Sequence, residues 1–251
     1  MRLKDKVAIV TGAGSGFGAG IAKRFAEEGA KVVVNDINSA SGEKVAAEIG
    51  AAKAVFAKGD VTRGADWASL VAKAQSAFGR LDIVINNAGW THRKKPFLEV
   101  TEDEFDKVYS VNVKSIYLSV MHALPVFRKQ GGGCFVNVAS TAGLRPRPGL
   151  AIYNSSKAAV ILMSKSMAGE FGPDNVRINC VNPVFSPETG LSAEFAGGAV
   201  TPEARKAYLA SIPLGRFSTP LDVANACLYL ASDEASMISG TSIEVDGARC
   251  V

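Results

Sequence analysis

Three residues near the middle of the chain have the types and spacing for proton chemistry: Ser140, Tyr153 and Lys157. On a helix, Tyr153 and Lys157 stand one turn apart on one face. A free phenol loses its proton near pH 10 and a lysine ammonium near pH 10.4. A cation one turn from the phenol favours the phenolate and should lower its pKa. Ser140 closes the apolar run Cys134–Ala139, so its hydroxyl can hold a substrate oxygen against that phenol. Taken alone, the trio also reads as an ordinary helix pair and a strand-end hydroxyl. It becomes a site only if the chain brings a reactant to it.

The elements that must position those residues repeat a simple alternation. Lys6–Val10 reads as a buried strand and runs directly into Thr11-Gly-Ala-Gly-Ser-Gly-Phe-Gly18. Ile21, Ala22, Phe25 and Ala26 mark one face of a helix that stops at Gly29. A second buried strand, Lys31–Val34, ends in Asn35-Asp36. Strand, glycine loop, helix, strand and acid in this order form the dinucleotide-binding βαβ arrangement. Glycines let the backbone approach a pyrophosphate, and the helix N-terminus offers it free N–H groups. Asp36 can accept from the adenosine ribose hydroxyls and would repel a 2′-phosphate, so NAD is expected over NADP.

Further strands are expected at Ala54–Lys58, Leu81–Asn86, Cys134–Ala139, Val176–Val181 and Thr241–Val245. Asp60 follows the third, within reach of adenine or serving as a turn acid, and Asn86-Asn87-Ala88-Gly89 ends the fourth. Helices are expected at Ser41–Ile49, around Trp67–Ala74, at Tyr153–Phe171 and at Pro220–Ala231. Another long helix starts at the capping signal Thr101–Glu104 and runs past Val120. Asn112 is the odd polar residue on its apolar face, either a satisfied core amide or part of a proton path. Residues 186–213 are irregular except for Pro202–Ser211 and suggest a substrate lid.

The 251 residues are 47% hydrophobic and 21% charged, with a net charge of +4. This suits a globular protein and gives little support to nucleic-acid or membrane-surface binding. No apolar stretch reaches the roughly 18 residues of a membrane span. Cys134, Cys180, Cys227 and Cys250 are scattered and read as free thiols, and no leader is apparent, so a reduced, cytoplasmic protein is expected. His92 and His122 lack partners at ligand spacing, so no metal site is expected. Pocket walls are expected from Thr91–Lys95, Thr141–Pro148 and Val184–Ala210, with His92, Arg93, Arg145 and Arg147 hinting at a polar or acidic substrate.

Together these motifs resemble the short-chain dehydrogenase/reductase family. The resemblance rests on Thr11-Gly12-x-x-x-Gly16-x-Gly18, Asp60, Asn86–Gly89, Asn112, Ser140, Tyr153-x-x-x-Lys157 and Pro183, and it spans nearly the whole chain. Val184 departs from the family's usual glycine, and Ala248 stands where a second glycine is usual. The resemblance implies an α/β fold, a single Rossmann-type doubly wound domain over residues 1–251 with a seven-stranded parallel sheet flanked by helices, and a homotetramer or homodimer. It implies catalytic roles for Asn112, Ser140, Tyr153 and Lys157. Cofactor contacts are implied for Gly12, Ser15, Gly16, Phe17, Gly18, Asp36, Ile37, Asp60, Val61, Asn87, Ala88 and Gly89. Tyr153, Lys157, Pro183, Val184, Ser186 and Thr189 complete that set.

The activity implied is NAD-dependent interconversion of a small-molecule secondary alcohol and a ketone. Tyr153 would exchange the proton, Lys157 would lower its pKa and bind the nicotinamide ribose, and Asn112 would hold a water between Lys157 and solvent. A 3-oxoacyl-(acyl carrier protein) reductase, whose acidic carrier Arg128 and Lys129 would meet, and a glucose-type sugar dehydrogenase are alternatives. Less favoured is a non-catalytic nucleotide-binding protein.

Overall fold

The computed structural model describes residues 1–187 and 189–251. Its centre is one seven-stranded sheet in the order β3-β2-β1-β4-β5-β6-β7, every neighbouring pair parallel. The strands are β1 (Val7–Thr11), β2 (Lys31–Asp36), β3 (Ala54–Lys58), β4 (Ile83–Asn86), β5 (Gly133–Val138), β6 (Val176–Pro183) and β7 (Ser242–Val245). Crossover helices are α1 (Gly16–Glu27), α2 (Ser39–Ile49), α3 (Gly64–Phe78), α4 (Glu102–Tyr109), α5 (Ser115–Gln130) and α6 (Ala151–Phe171). Beyond β6 come α7 (Ser192–Ala196), α8 (Pro202–Ala210) and α9 (Pro220–Ala231).

The apolar strand runs are explained by burial on both faces. Ala8 and Val10 point into a core shared with Phe25 of α1 and Leu228 of α9. Val7 and Ile9 point the other way, onto Trp67 of α3 and Phe127 of α5. Strand order reverses between β1 and β4, and the chain opens a crevice beyond their carboxyl ends, where ligands bind in sheets of this type.

Two expectations change. The helix begun by the Thr101–Glu104 capping box is not continuous, because Ser110–Lys114 forms a π-helical turn between α4 and α5. That wider turn carries Asn112 inward, while Phe105 on α4 is exposed. The fourth strand begins two residues later than expected. Arg80 and the backbone of Val7 both bond the carboxylate of Asp82, which fastens the strand's entry rather than its ladder.

Candidate active site

The glycine loop is shaped by close approaches. Gly12 has a φ of +60°, and a Cβ on it would lie 3.0 Å from the Ala88 Cα. A Cβ on Gly18 would collide with the Gly12 carbonyl oxygen and the Asn87 amide, so the first turn of α1 lies directly on the loop. Thr11 fixes the neighbouring strand end. Its hydroxyl accepts from the backbone N–H groups of Asn87 and Ala88, both at 3.0 Å. The Asn87 side chain donates back to the Thr11 carbonyl at 2.8 Å. Ser15 precedes α1 without a side-chain cap bond, which leaves the amides at that helix start to an anion.

Asp36 is aimed by two backbone donors: Gly14 N–H bonds Oδ2 at 2.8 Å and Asn38 N–H bonds Oδ1 at 2.9 Å. Its carboxylate therefore borders the glycine loop with lone pairs to spare. Asp60 accepts from the backbone and hydroxyl of Thr62, so it serves as a turn acid while also facing the cleft.

At the other end, β5 and α6 position the candidate proton-transfer residues. Tyr153 is buried and Lys157 is buried on the same face of α6. Lys157 Nζ donates to the Val138 carbonyl at 2.9 Å and stands 5.8 Å from the Tyr153 ring centroid. Ser140 Oγ accepts from Ala142 N–H at 3.1 Å, which turns the chain from β5 toward α6. Gly143 permits that turn to touch α6, since a Cβ there would lie 2.8 Å from the Ala158 nitrogen.

The expected lowering of the Tyr153 pKa is reversed. Burial pushes the phenol up to about 12, against the smaller opposing pulls of the Ser140 hydroxyl and the Arg147 charge. The same burial brings Lys157 down to about 8. Desolvation outweighs the neighbouring charge for both groups.

Asn112 is engaged through both its amide oxygen and its amide nitrogen. Its Oδ1 accepts from Trp90 N–H at 2.8 Å, and Nδ2 donates to the Trp90 carbonyl at 2.9 Å and to Ser156 Oγ at 3.0 Å. It ties the loop following Gly89 to Ser156 of α6. A Cβ on Gly89 would lie 3.5 Å from Asn112 Oδ1 and 3.6 Å from Lys157 Nζ, so both atoms face the same point.

One cleft of about 510 Å³ joins these parts. All the residues singled out from the sequence for cofactor or catalysis line it except Gly18 and Asn112, which support it from behind. The irregular segment after β6 forms one wall. Phe195 of α7 meets the Tyr153 ring edge-on at 5.0 Å, and Phe185 stacks on Tyr208 of α8 at 4.3 Å. Within the expected lid, Glu188 lies outside the described residues.

The basic loop does something other than expected. None of Thr91–Lys95 lines the cleft. Arg93 Nε and Lys94 N–H instead bond the carbonyls of Gly197 and Glu194, and Lys95 pairs with Glu104 at 2.7 Å. Arg93 and the Lys94 amide are thus spent on fastening α7, and Lys95 on α4. Of the second basic stretch, Arg147 reaches the cleft, whereas Arg145 turns to the Arg249 carbonyl. Phe195 and Gly143 fall within the stretches expected as pocket walls, Val184–Ala210 and Thr141–Pro148, but neither was singled out, since neither belongs to a motif or periodic face. Trp90 and Lys107, a cation–ring pair 4.3 Å apart, also line the cleft and carried no such signal.

Comparison with known proteins decides the family. A family model described as enoyl-(acyl carrier protein) reductase matches residues 12–248. The chain belongs to the short-chain dehydrogenase/reductase family. It is 51% identical to 4-formylbenzenesulfonate dehydrogenase of Comamonas testosteroni over 99% of both chains. It is 42% identical to a 2,5-dichloro-2,5-cyclohexadiene-1,4-diol dehydrogenase of Sphingobium indicum, covering 100% of this chain and 98% of the relative. The NADH complex of 3-ketoacyl-(acyl-carrier-protein) reductase from Brucella melitensis superposes with a TM-score of 0.93 at 43% identity, covering 99% of this chain and all of that one. The protein is thus an oxidoreductase of this family.

Proposed function

We propose that this single-domain enzyme interconverts a secondary alcohol and a ketone with NAD as its redox partner. The observation that carries the reading is that Ser140, Tyr153 and Lys157 open into the same cleft as the glycine loop and Asp36. The residues fit a dinucleotide: close-packed Gly12 and Gly18, an uncapped helix start at Ser15, and a carboxylate beside them. NAD, when bound, supplies the hydride acceptor for oxidation or the donor for reduction.

Gly12, Ser15, Gly16 and Phe17 hold its pyrophosphate, and Asp36 with Ile37 takes the adenosine ribose. Asp60 and Val61 border adenine. Asn87, Ala88 and Gly89, together with Pro183, Val184, Ser186 and Thr189, would hold the nicotinamide end. Tyr153 gives its phenolic proton to the forming alkoxide in reduction and takes the hydroxyl proton in oxidation, a step worth about 10²–10⁴-fold in rate. Ser140 holds the substrate oxygen beside it. Lys157 places a cation next to the phenol, binds the nicotinamide ribose and, below about pH 8, is protonated. Asn112 positions Trp90 and α6 relative to each other, and Oδ1 keeps a second lone pair toward Lys157 for the proton route.

Two similar dehydrogenases are named for ring compounds, and Phe185, Phe195 and Trp90 give the cleft ring-sized apolar walls. We therefore read the substrate as ring-bearing. The NADH-bound reductase favours 3-oxoacyl reduction as the second reading, performed by the same residues. Self-association as a homotetramer or homodimer is supported by exposed Tyr117 and Met121 on α5 and Leu162 on α6. Free Cys134, Cys180, Cys227 and Cys250 suit the cytoplasm, and no described helix is long and apolar enough to cross a membrane. The test is a spectrophotometric screen of cyclic and aromatic secondary alcohols, 3-oxoacyl thioesters and sugars with NAD or NADH. Turnover confined to the thioesters would select the second reading.

A further inference from the structure

Arg147 and Arg249 make an unusual pair. Arg249, near the C-terminus, is 93% buried, as its 7% exposure states, and its Nε and Nη1 have no hydrogen-bond partner among the described residues. Arg147 lines the cleft, and its guanidinium lies 4.6 Å from the Tyr208 ring centroid. Neither arginine makes an ion pair with a carboxylate among the described residues. Burial and the Arg249 charge both pull the Arg147 pKa down, and Arg147 itself is half-buried. Buried charge of this kind is costly unless an opposite charge meets it.

The approach to that charge is apolar. From Tyr153, the wall runs through Phe195 at 5.0 Å and Phe185 at 6.4 Å from Phe195, then to Tyr208 at 4.3 Å, and Arg147 stacks on Tyr208. Stacking holds the planar guanidinium fork in one orientation, which suits a two-oxygen acceptor. We propose that the substrate bears a carboxylate or sulfonate away from its reacting carbon, and that Arg147 binds this anion with Arg249 reinforcing the field from behind. The proposal rests on the oxidoreductase reading above and adds the substrate's charge to it.

The test uses 1-phenylethanol carrying a para carboxylate, sulfonate or neutral carboxamide. Oxidation with NAD gives kcat and KM for the full chain, and isothermal titration gives Kd without turnover. At least one of the two anionic alcohols should bind about 10–100-fold tighter than the carboxamide, the range expected for charged hydrogen bonds, and the better anion identifies the acceptor. Arg147→Met should erase that preference through KM and Kd, leaving the carboxamide within about twofold. Arg147→Lys should recover part of it, and also decides the matter if the methionine variant fails to fold. Arg128→Gln, which removes a positive charge outside the cleft, should keep the full preference. Equal loss for charged and neutral alcohols, or no anion preference in the unaltered protein, overturns the proposal. Arg147-dependent anion binding with no oxidation of any alcohol would instead keep the anion site and remove the secondary-alcohol reading.

Discussion

Lys157 Nζ donates to the carbonyl oxygen of Val138 at 2.9 Å. This bond joins the catalytic helix to the strand whose end carries Ser140, and it holds whether the amine is charged or neutral. Its setting fixes a pH signature. Burial lowers the Lys157 pKa from 10.5 to about 8. Between those values the unfolded chain carries a proton that the folded chain lacks, so stability rises with pH across the window. The cost of burying the amine is fully present below about pH 8 and gone above 10.5. Lys157→Met has no such group. Denaturant midpoints measured from pH 7.5 to 10 (solution conditions chosen on the order of that window) should rise for the unaltered protein relative to Lys157→Met. Parallel curves would mean that Lys157 is not desolvated as described.

The Asp36 carboxylate is held by Gly14 and Asn38 amides at 2.8 and 2.9 Å. A 2′-phosphate would meet that fixed negative charge, a like-charge clash worth several kcal/mol. The kcat/KM with NAD should exceed that with NADP by about 100-fold or more. Asp36→Asn should narrow the gap by about tenfold or more, chiefly by improving NADP. Equal use of both cofactors by the unaltered enzyme contradicts the role assigned to Asp36.

Two glycine substitutions should act with opposite sign. Gly18→Ala drives a methyl into the Gly12 carbonyl and the Asn87 amide. Overpacking of this kind costs about 1–3 kcal/mol, or roughly 2–4 °C of Tm per kcal/mol in a chain this long. NADH affinity should fall with it, because the collision displaces the phosphate loop. Gly169 lies inside α6, and a Cβ there meets nothing within 4 Å. Gly169→Ala should gain up to about 1 kcal/mol from helix propensity and leave NADH binding alone. Thermal melts and NADH fluorescence titrations of both variants check the pair. A neutral Gly18→Ala would refute the close loop–helix contact.

Legibility of the fold follows from periodicity and punctuation. Doubly buried strands such as Lys31–Asp36 read as apolar runs, and Gly29 and Thr101–Glu104 mark helix ends by local chemistry. The residues of the site were legible because glycine loop, Asp36, Ser140, Tyr153 and Lys157 depend on spacing within single elements. What spacing does not encode is the balance of solvation and charge across elements. The Tyr153 pKa moves up rather than down because of everything packed around it. Arg93 reads as a hint of a polar substrate or as a solvated charge, and Lys94 as part of a pocket wall, yet both close hydrogen bonds to chain at a helix about a hundred residues later. The π-turn at Asn112 escaped as well, since Val108, Val111 and Ile116 keep an ordinary helical rhythm across it.

The central claim is that the Tyr153 phenol is the proton partner of hydride transfer, and Tyr153→Phe tests it most directly. The ring, its 5.0 Å contact with Phe195 and the α6 backbone survive that change, and only the hydroxyl goes. NADH binding by fluorescence should stay within about twofold of the unaltered protein. Single-turnover hydride transfer, followed at the nicotinamide absorbance, should slow by about 10²–10⁴-fold. Transfer at the original rate with NADH binding intact would contradict the account.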